Sequence, residues 1–345
     1  MMGRGVVVLG GDLQMVTDVA VDAERAGFDS VWTTEFYERT ATISLAAMAT
    51  VTTDIMLGSA IAWGVGRSPL VLSAEARDLD ELSNGRLVLG LGTGTRTMLR
   101  DWHGEAADAP AVRVEELVPL LRRFWAMDDT GVHHDGRFYH VALTPTAEVR
   151  PPLRRDIPVY VAGVNRRMVR AAGTVADGLV GHPIFTRRYV EEVVRPALAD
   201  GAERSERSPD DITLAGYVIC AIDDDADRAR NEARGQIAFY SLVRTYSAIL
   251  DLHGFAANAD EIRAAWKRRD QAGMIAAVTD DMVDTMACAG TPAEVADRFA
   301  DNFDGLYDHT LFYSPSFAMD QGRFVESVQA IIDVFGRTPA ASPES

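Results

Sequence analysis

Lysine is almost missing from this chain: Lys267 stands alone, and arginine supplies every other basic side chain. A mechanism built on a lysine Schiff base or a P-loop lysine has a single candidate, and it sits in Trp266-Lys267-Arg268-Arg269, which reads as a solvated helix face. Positive charge is short overall. With 34 Lys and Arg against 51 Asp and Glu the net charge is −17, which disfavours a nucleic-acid partner because a phosphate backbone needs clustered positive charge. Cysteine is scarce too. Cys220 and Cys288 are far apart in sequence and form no CxxC, so neither a disulfide framework nor a thiolate zinc site is supported, and a reducing cytoplasm is the expected compartment. No apolar run approaches the roughly 20 residues of a membrane span, and Gly5–Leu9 is too short for a signal h-region, so no membrane partner is expected. Gly-x-Ser-x-Gly is absent, which leaves a hydrolase nucleophile elbow without an anchor. His133, His134 and His140 occur without HxH, HExxH or carboxylates at ligand spacing, so no metal is expected.

What is present is an ordinary globular composition, 47% hydrophobic and 25% charged over 345 residues. Eight short apolar runs recur, each closed by Gly, Asp or Ser and most followed by a segment of helical period: 6–9, 30–34, 55–61, 86–92, 158–163, 178–182, 212–222 and 309–314. Asp12 reads as an N-cap for a helix that ends before Gly27, and Thr291-Pro292-Ala293-Glu294 reads as a capping box. Parallel strands with single crossovers and no sign of a central switch in strand order predict an α/β fold of the (β/α)8 TIM-barrel type. One domain is expected over 1–337, with excursions near 128–157 and 225–285. The first excursion reads as a β-hairpin around Gly136 and the second as extra helices; the polar tail 338–345 is expected to be mobile.

A barrel of this type carries its active site at the C-terminal strand ends, which narrows the candidates. Glu35 closes the second run and suits a general acid or base, a partner of a cofactor ring, or a solvated loop carboxylate. His182 closes the sixth and suits proton exchange near neutral pH or plain packing against Pro183. The turn Gly92-Thr93-Gly94-Thr95 lets backbone approach a planar or anionic ligand, although it is neither a dinucleotide fingerprint nor a P-loop. Ala162-Gly163-Val164-Asn165 opens a helix with Arg166 and Arg167 beside it, a second anion candidate. Phe36, Trp63, Trp102 and Tyr313 lie at or near strand ends, either lining a pocket for a flat substrate or capping the core.

Taken together, several segments resemble the luciferase-like monooxygenase superfamily, particularly its branch using coenzyme F420. They are 23–32 (AERAGFDSVW), 57–62 (LGSAIA), Arg67-Ser68-Pro69, 79–86 (LDELSNGR), 89–94 (LGLGTG), 158–164 (PVYVAGV), 176–180 (ADGLV) and 290–296 (GTPAEVA). The resemblance covers most of the chain. It implies a (β/α)8 barrel holding F420, or alternatively FMN, at the C-terminal strand ends, with Ala60-Ile61 backing the ring and the loops 93–95 and 162–165 holding the ribityl-phosphate side. It also implies a cis peptide between Ala60 and Ile61, a homodimer, and hydride transfer to or from a small organic substrate. The alternatives are an FMN-dependent monooxygenase and a non-catalytic flavin-binding barrel. Some relatives carry an acidic residue followed by histidine after the second strand, where this chain has Glu35-Phe36, and a glutamate where it has Thr95. Oxidation of glucose 6-phosphate is therefore not expected.

Overall fold

Local chemistry fixes several element ends. The Asp12 carboxylate accepts the Met15 amide at 2.8 Å and starts helix Leu13–Arg25, which stops before Gly27 at φ +77°. Thr291 and Glu294 form the expected capping box at the head of helix Pro292–Asn302. The computed structural model describes residues 3–337; the tail 338–345 lies outside the described residues.

Among the described residues twelve strands follow one another: β1 (Gly3–Val8), β2 (Ser30–Thr33), β3 (Met56–Ser59), β4 (Ala62–Trp63), β5 (Leu87–Gly92), β6 (Val132–Asp135), β7 (His140–Leu143), β8 (Val159–Ala162), β9 (Gly178–Val180), β10 (Thr213–Ile222), β11 (Ala287–Gly290) and β12 (His309–Tyr313). Every apolar run read from the sequence falls on a strand of the main sheet, and the chain has the (β/α)8 barrel fold. The third run, 55–61, forms β3 and ends at a cis peptide between Ala60 and Ile61, and β4 begins directly after it. β11 was not anticipated, because Ala-Cys-Ala-Gly offers small side chains and no β-branched residue to mark a strand.

The chain divides into two compact units. In the first, made of the described residues up to Val31, Gly181–Arg195 and those from Leu214 on, β12 pairs in parallel with β1 and with β10. The last residues of β10 pair with β11, placing Cys220 directly opposite Cys288, both fully buried. The two thiols, 68 residues apart in sequence from 288−220, are thus strand neighbours. Helices 226–241, 247–252, 256–267, 271–276 and 280–286 occupy the second excursion.

In the second unit, Trp32–Val180 with Pro196–Thr213, β5 is flanked on one side by β3 and then β4, and on the other by β8, which pairs with β9. Glycine is required where backbones crowd: a Cβ on Gly90 would lie 1.7 Å from the Ser59 carbonyl oxygen. β6 and β7 form the expected hairpin. Its turn is tied to helix Pro110–Trp125 by Glu116, which accepts the Tyr139 amide at 2.8 Å and bonds His134 at 3.0 Å. His134 is thereby engaged by a carboxylate, and among the described residues no group of three or more His, Cys, Asp or Glu is placed to hold a metal.

Candidate active site

In the second unit the strand ends bring together most of the predicted residues. Glu35 follows β2 and is nearly buried, its side chain 8% exposed. Its carboxylate takes Arg67 with both oxygens, at 2.6 and 2.8 Å, and accepts the Trp63 amide at 2.9 Å. Its own amide donates to the Ile61 carbonyl at 3.0 Å, and its carbonyl accepts the Trp63 indole N–H at 3.2 Å. Arg67 also meets Glu75 at 3.3 Å. Burial acts to lower the Arg67 pKa, but the hydrogen bond and charge of Glu35, with Glu75, outweigh it and raise the value. Glu35 therefore fastens β2 to the segment joining β3 and β4. Both of its oxygens are occupied, so the solvated-carboxylate reading does not apply.

The glycine turn after β5 abuts the same segment. A Cβ on Gly92 would stand 2.6 Å from Ile61 Cδ1 and 3.5 Å from the Ala162 Cβ, and Gly94, at φ +65°, lies against Trp63. Ala60, Ile61, Gly92, Gly94 and Ala162 are thus neighbours at one end of the strands. Thr93 donates to the Gly94 carbonyl at 3.2 Å, while Thr95 accepts the Met98 amide at 3.2 Å and opens the π-helical turn Met98–Trp102. Gly163 is wedged against the backbone of Met168 and Val169, and Asn165 precedes helix Arg166–Val175 with Arg166 and Arg167 exposed beside it. That helix start, following Val164, carries the positive potential of unpaired amides at a helix N-terminus.

Three aromatic side chains crown this unit: Phe36, Tyr37 and Trp102 are 42%, 72% and 44% exposed, whereas Trp63 is buried. Phe36 and Tyr37 stand edge-on to Trp102, at centroid distances of 5.2 and 5.7 Å, and Trp63 lies 5.9 Å from it.

The remaining two candidates belong to the first unit, where they meet partners that the sequence did not suggest. His182 packs on Tyr246, with centroids 3.9 Å apart, and edge-on to Tyr240 at 4.8 Å. Its Nδ1 accepts the Ile184 amide at 3.4 Å, which leaves the proton on Nε2 in the neutral ring. Burial lowers its pKa to about 3, so the ring is neutral near pH 7. Tyr313 ends β12, and its hydroxyl lies 2.8 Å from that of Tyr240. Burial pushes the Tyr313 phenol up to about 12 and Tyr246 likewise to about 12, and drives Tyr240 well above its ordinary value. This cluster is a set of neutral donors. Tyr240 and Tyr246 carry no sequence signal as site residues, since they lie in the excursion and meet His182 only through folding.

The sequence model of the family described as luciferase-like monooxygenase matches residues 3–309. The chain is 34% identical over 308 residues to an uncharacterized protein of Mycobacterium tuberculosis strain H37Rv, covering 87% of this chain and 89% of that one. It is 28% identical over 293 residues to a 5,10-methylenetetrahydromethanopterin reductase of Methanopyrus kandleri, covering 80% of this chain and 82% of that one. Among solved structures it is similar to the coenzyme F420-dependent tetrahydromethanopterin reductase of the same organism, with a TM-score of 0.81 at 23% identity over 96% of this chain and 97% of that one. That last likeness is one of fold.

Proposed function

The chain belongs to the luciferase-like monooxygenase family, and we propose that it is an oxidoreductase that binds coenzyme F420 and exchanges a hydride between it and a small organic substrate. The observation that carries this reading is the similarity, in sequence and in fold, to reductases of which one is named as F420-dependent. The cofactor, when bound, supplies a ring carbon that gives or takes the hydride. The residues fit such a group. Ile61, with Gly92 and Ala162 behind it, offers a narrow apolar wall for a flat ring, and the helix start at Asn165 with Arg166 and Arg167 offers positive potential for an anionic tail.

The chain's own groups divide the remaining work. Glu35, with both oxygens on Arg67 and the Trp63 amide, is a positioning residue that holds the wall, in place of the acid–base role considered from sequence. Within the first unit, the neutral donors Tyr313, Tyr240 and His182 are the groups suited to proton exchange, because Tyr313 closes its strand at the end where this fold carries its chemistry. A homodimer fits the apolar side chains left exposed on helices Ala41–Val51 and Pro69–Leu82, including Ile43 and Val71. No helix among the described residues is long and apolar enough to cross a membrane.

The family's monooxygenase description favours a second reading, in which FMN is the cofactor. Titration of the purified protein with F420 and with FMN, followed by intrinsic tryptophan fluorescence, separates the two. Binding of F420 at micromolar concentration is expected; FMN binding with no response to F420 would overturn the proposal.

A further inference from the structure

We infer that Phe36, Tyr37 and Trp102 form a preorganised subsite for an uncharged planar unsaturated ring of the substrate, a reading that deepens the proposed function and rests on taking this rim as the substrate side of that site. Three large rings left open to solvent at one place are uncommon on a monomeric surface and mark a binding position. Their arrangement is specific. Phe36 and Tyr37 meet Trp102 at interplanar angles of 85° and 82°, and Phe36 and Tyr37 lie 4.3 Å apart at 47°, so the rings present edges and faces in several fixed directions. Aromatic rings gain from such edge-to-face and offset contacts beyond the area they bury, and a saturated ring of the same size forgoes that gain.

The rings are held by backbone that has little freedom. The Phe36 amide donates to the Arg39 carbonyl at 3.0 Å and closes a tight turn, while Glu35, one residue earlier, is clamped by Arg67. Trp102 is carried by a π-helical turn, a feature often found at functional sites. The subsite is therefore set before any ligand arrives, which lowers the ordering cost of binding. Net charge at the two segments favours neither an anionic nor a cationic occupant. The two segments that carry the rings, 36–39 and 98–102, contribute Glu38 and Asp101 against Arg39 and Arg100, a local balance of zero from two of each sign.

The test uses the full-length protein without cofactor and two bicyclic probes of similar size, 2-naphthol and its saturated counterpart decahydro-2-naphthol, with binding measured by calorimetry. The planar probe is expected to bind about tenfold more tightly, and Trp102→Leu, which keeps an apolar side chain, is expected to remove about tenfold of its affinity. Tyr37→Leu, at the most exposed of the three positions, is expected to act in the same direction without affecting folding. In both variants F420 affinity stays unchanged. Equal affinities for the two probes, or an unaltered naphthol affinity in both variants, would overturn the subsite. A change in molecular mass by light scattering in either variant would overturn it as well, by assigning the rim to contact between copies. If naphthol binds as expected while F420 does not bind at all, the subsite stands and the cofactor reading fails.

Discussion

Glu35 and Arg67 meet through two parallel hydrogen bonds of 2.6 and 2.8 Å in a place largely closed to water. Such a pair is costly to break from one side, because the remaining charge stays buried without its counter-ion. Glu35→Gln is expected to lower stability by about 3 kcal/mol, measured by urea denaturation. Turnover should fall by on the order of 10- to 100-fold through misplacement of the β3–β4 segment, with the pH profile keeping its shape. A displaced pH profile would return Glu35 to proton exchange.

Tyr313→Phe removes one hydroxyl of the 2.8 Å pair and leaves the ring in place. Turnover is expected to drop by on the order of 100-fold, as for the loss of a general acid, while cofactor affinity is retained. Stopped-flow measurement of the hydride step in H2O and D2O checks this, since the solvent isotope effect should diminish in the variant if the phenol delivers the proton.

Burial holds His182 at a pKa of about 3 and His309 at about 4, both below the ordinary value of 6.5. Their unfolded forms take up protons before their folded forms do, so this contribution to stability is complete above pH 6.5 and declines as the pH falls towards 3 to 4. Between about pH 6.5 and 4.5 most carboxylates are still ionised, and the slope there reports the histidines. Denaturation midpoints should decrease across that window, and His182→Asn should flatten the decrease.

Ile43 and Val71, 56% and 50% exposed, lie on adjacent helices of one unit. Light scattering is expected to give twice 37.5 kDa at micromolar concentration. Ile43→Glu combined with Val71→Glu should return the monomer mass with the circular dichroism spectrum unchanged.

The strands were legible because each was written as a short apolar run stopped by a turn residue, and the hairpin because Gly136 sits between paired flanks. β11 was not, since four small residues carry no period and gain strand geometry only by pairing with β10. The same limit applies to the site. Glu35, Gly92 and Ala162 could be placed by counting to strand ends, whereas the Arg67 partner lies 32 positions further on and the Tyr240–Tyr313 pair is separated by 73. Cys220 and Cys288 looked unrelated for the same reason, and only the parallel register makes them neighbours.

The clamp at Glu35 also bears on how such a protein changes over generations. The turn that carries Phe36 is fixed by the residue before it and by its own backbone pairing, not by the exposed ring. A new side chain at position 36, or at 102 on its separate turn, meets solvent and other rings rather than the packed core. Mutational drift at these two places is therefore expected to be nearly neutral for folding, and under the proposed subsite it would broaden or shift the range of accepted molecules by single steps while the scaffold beneath is inherited intact.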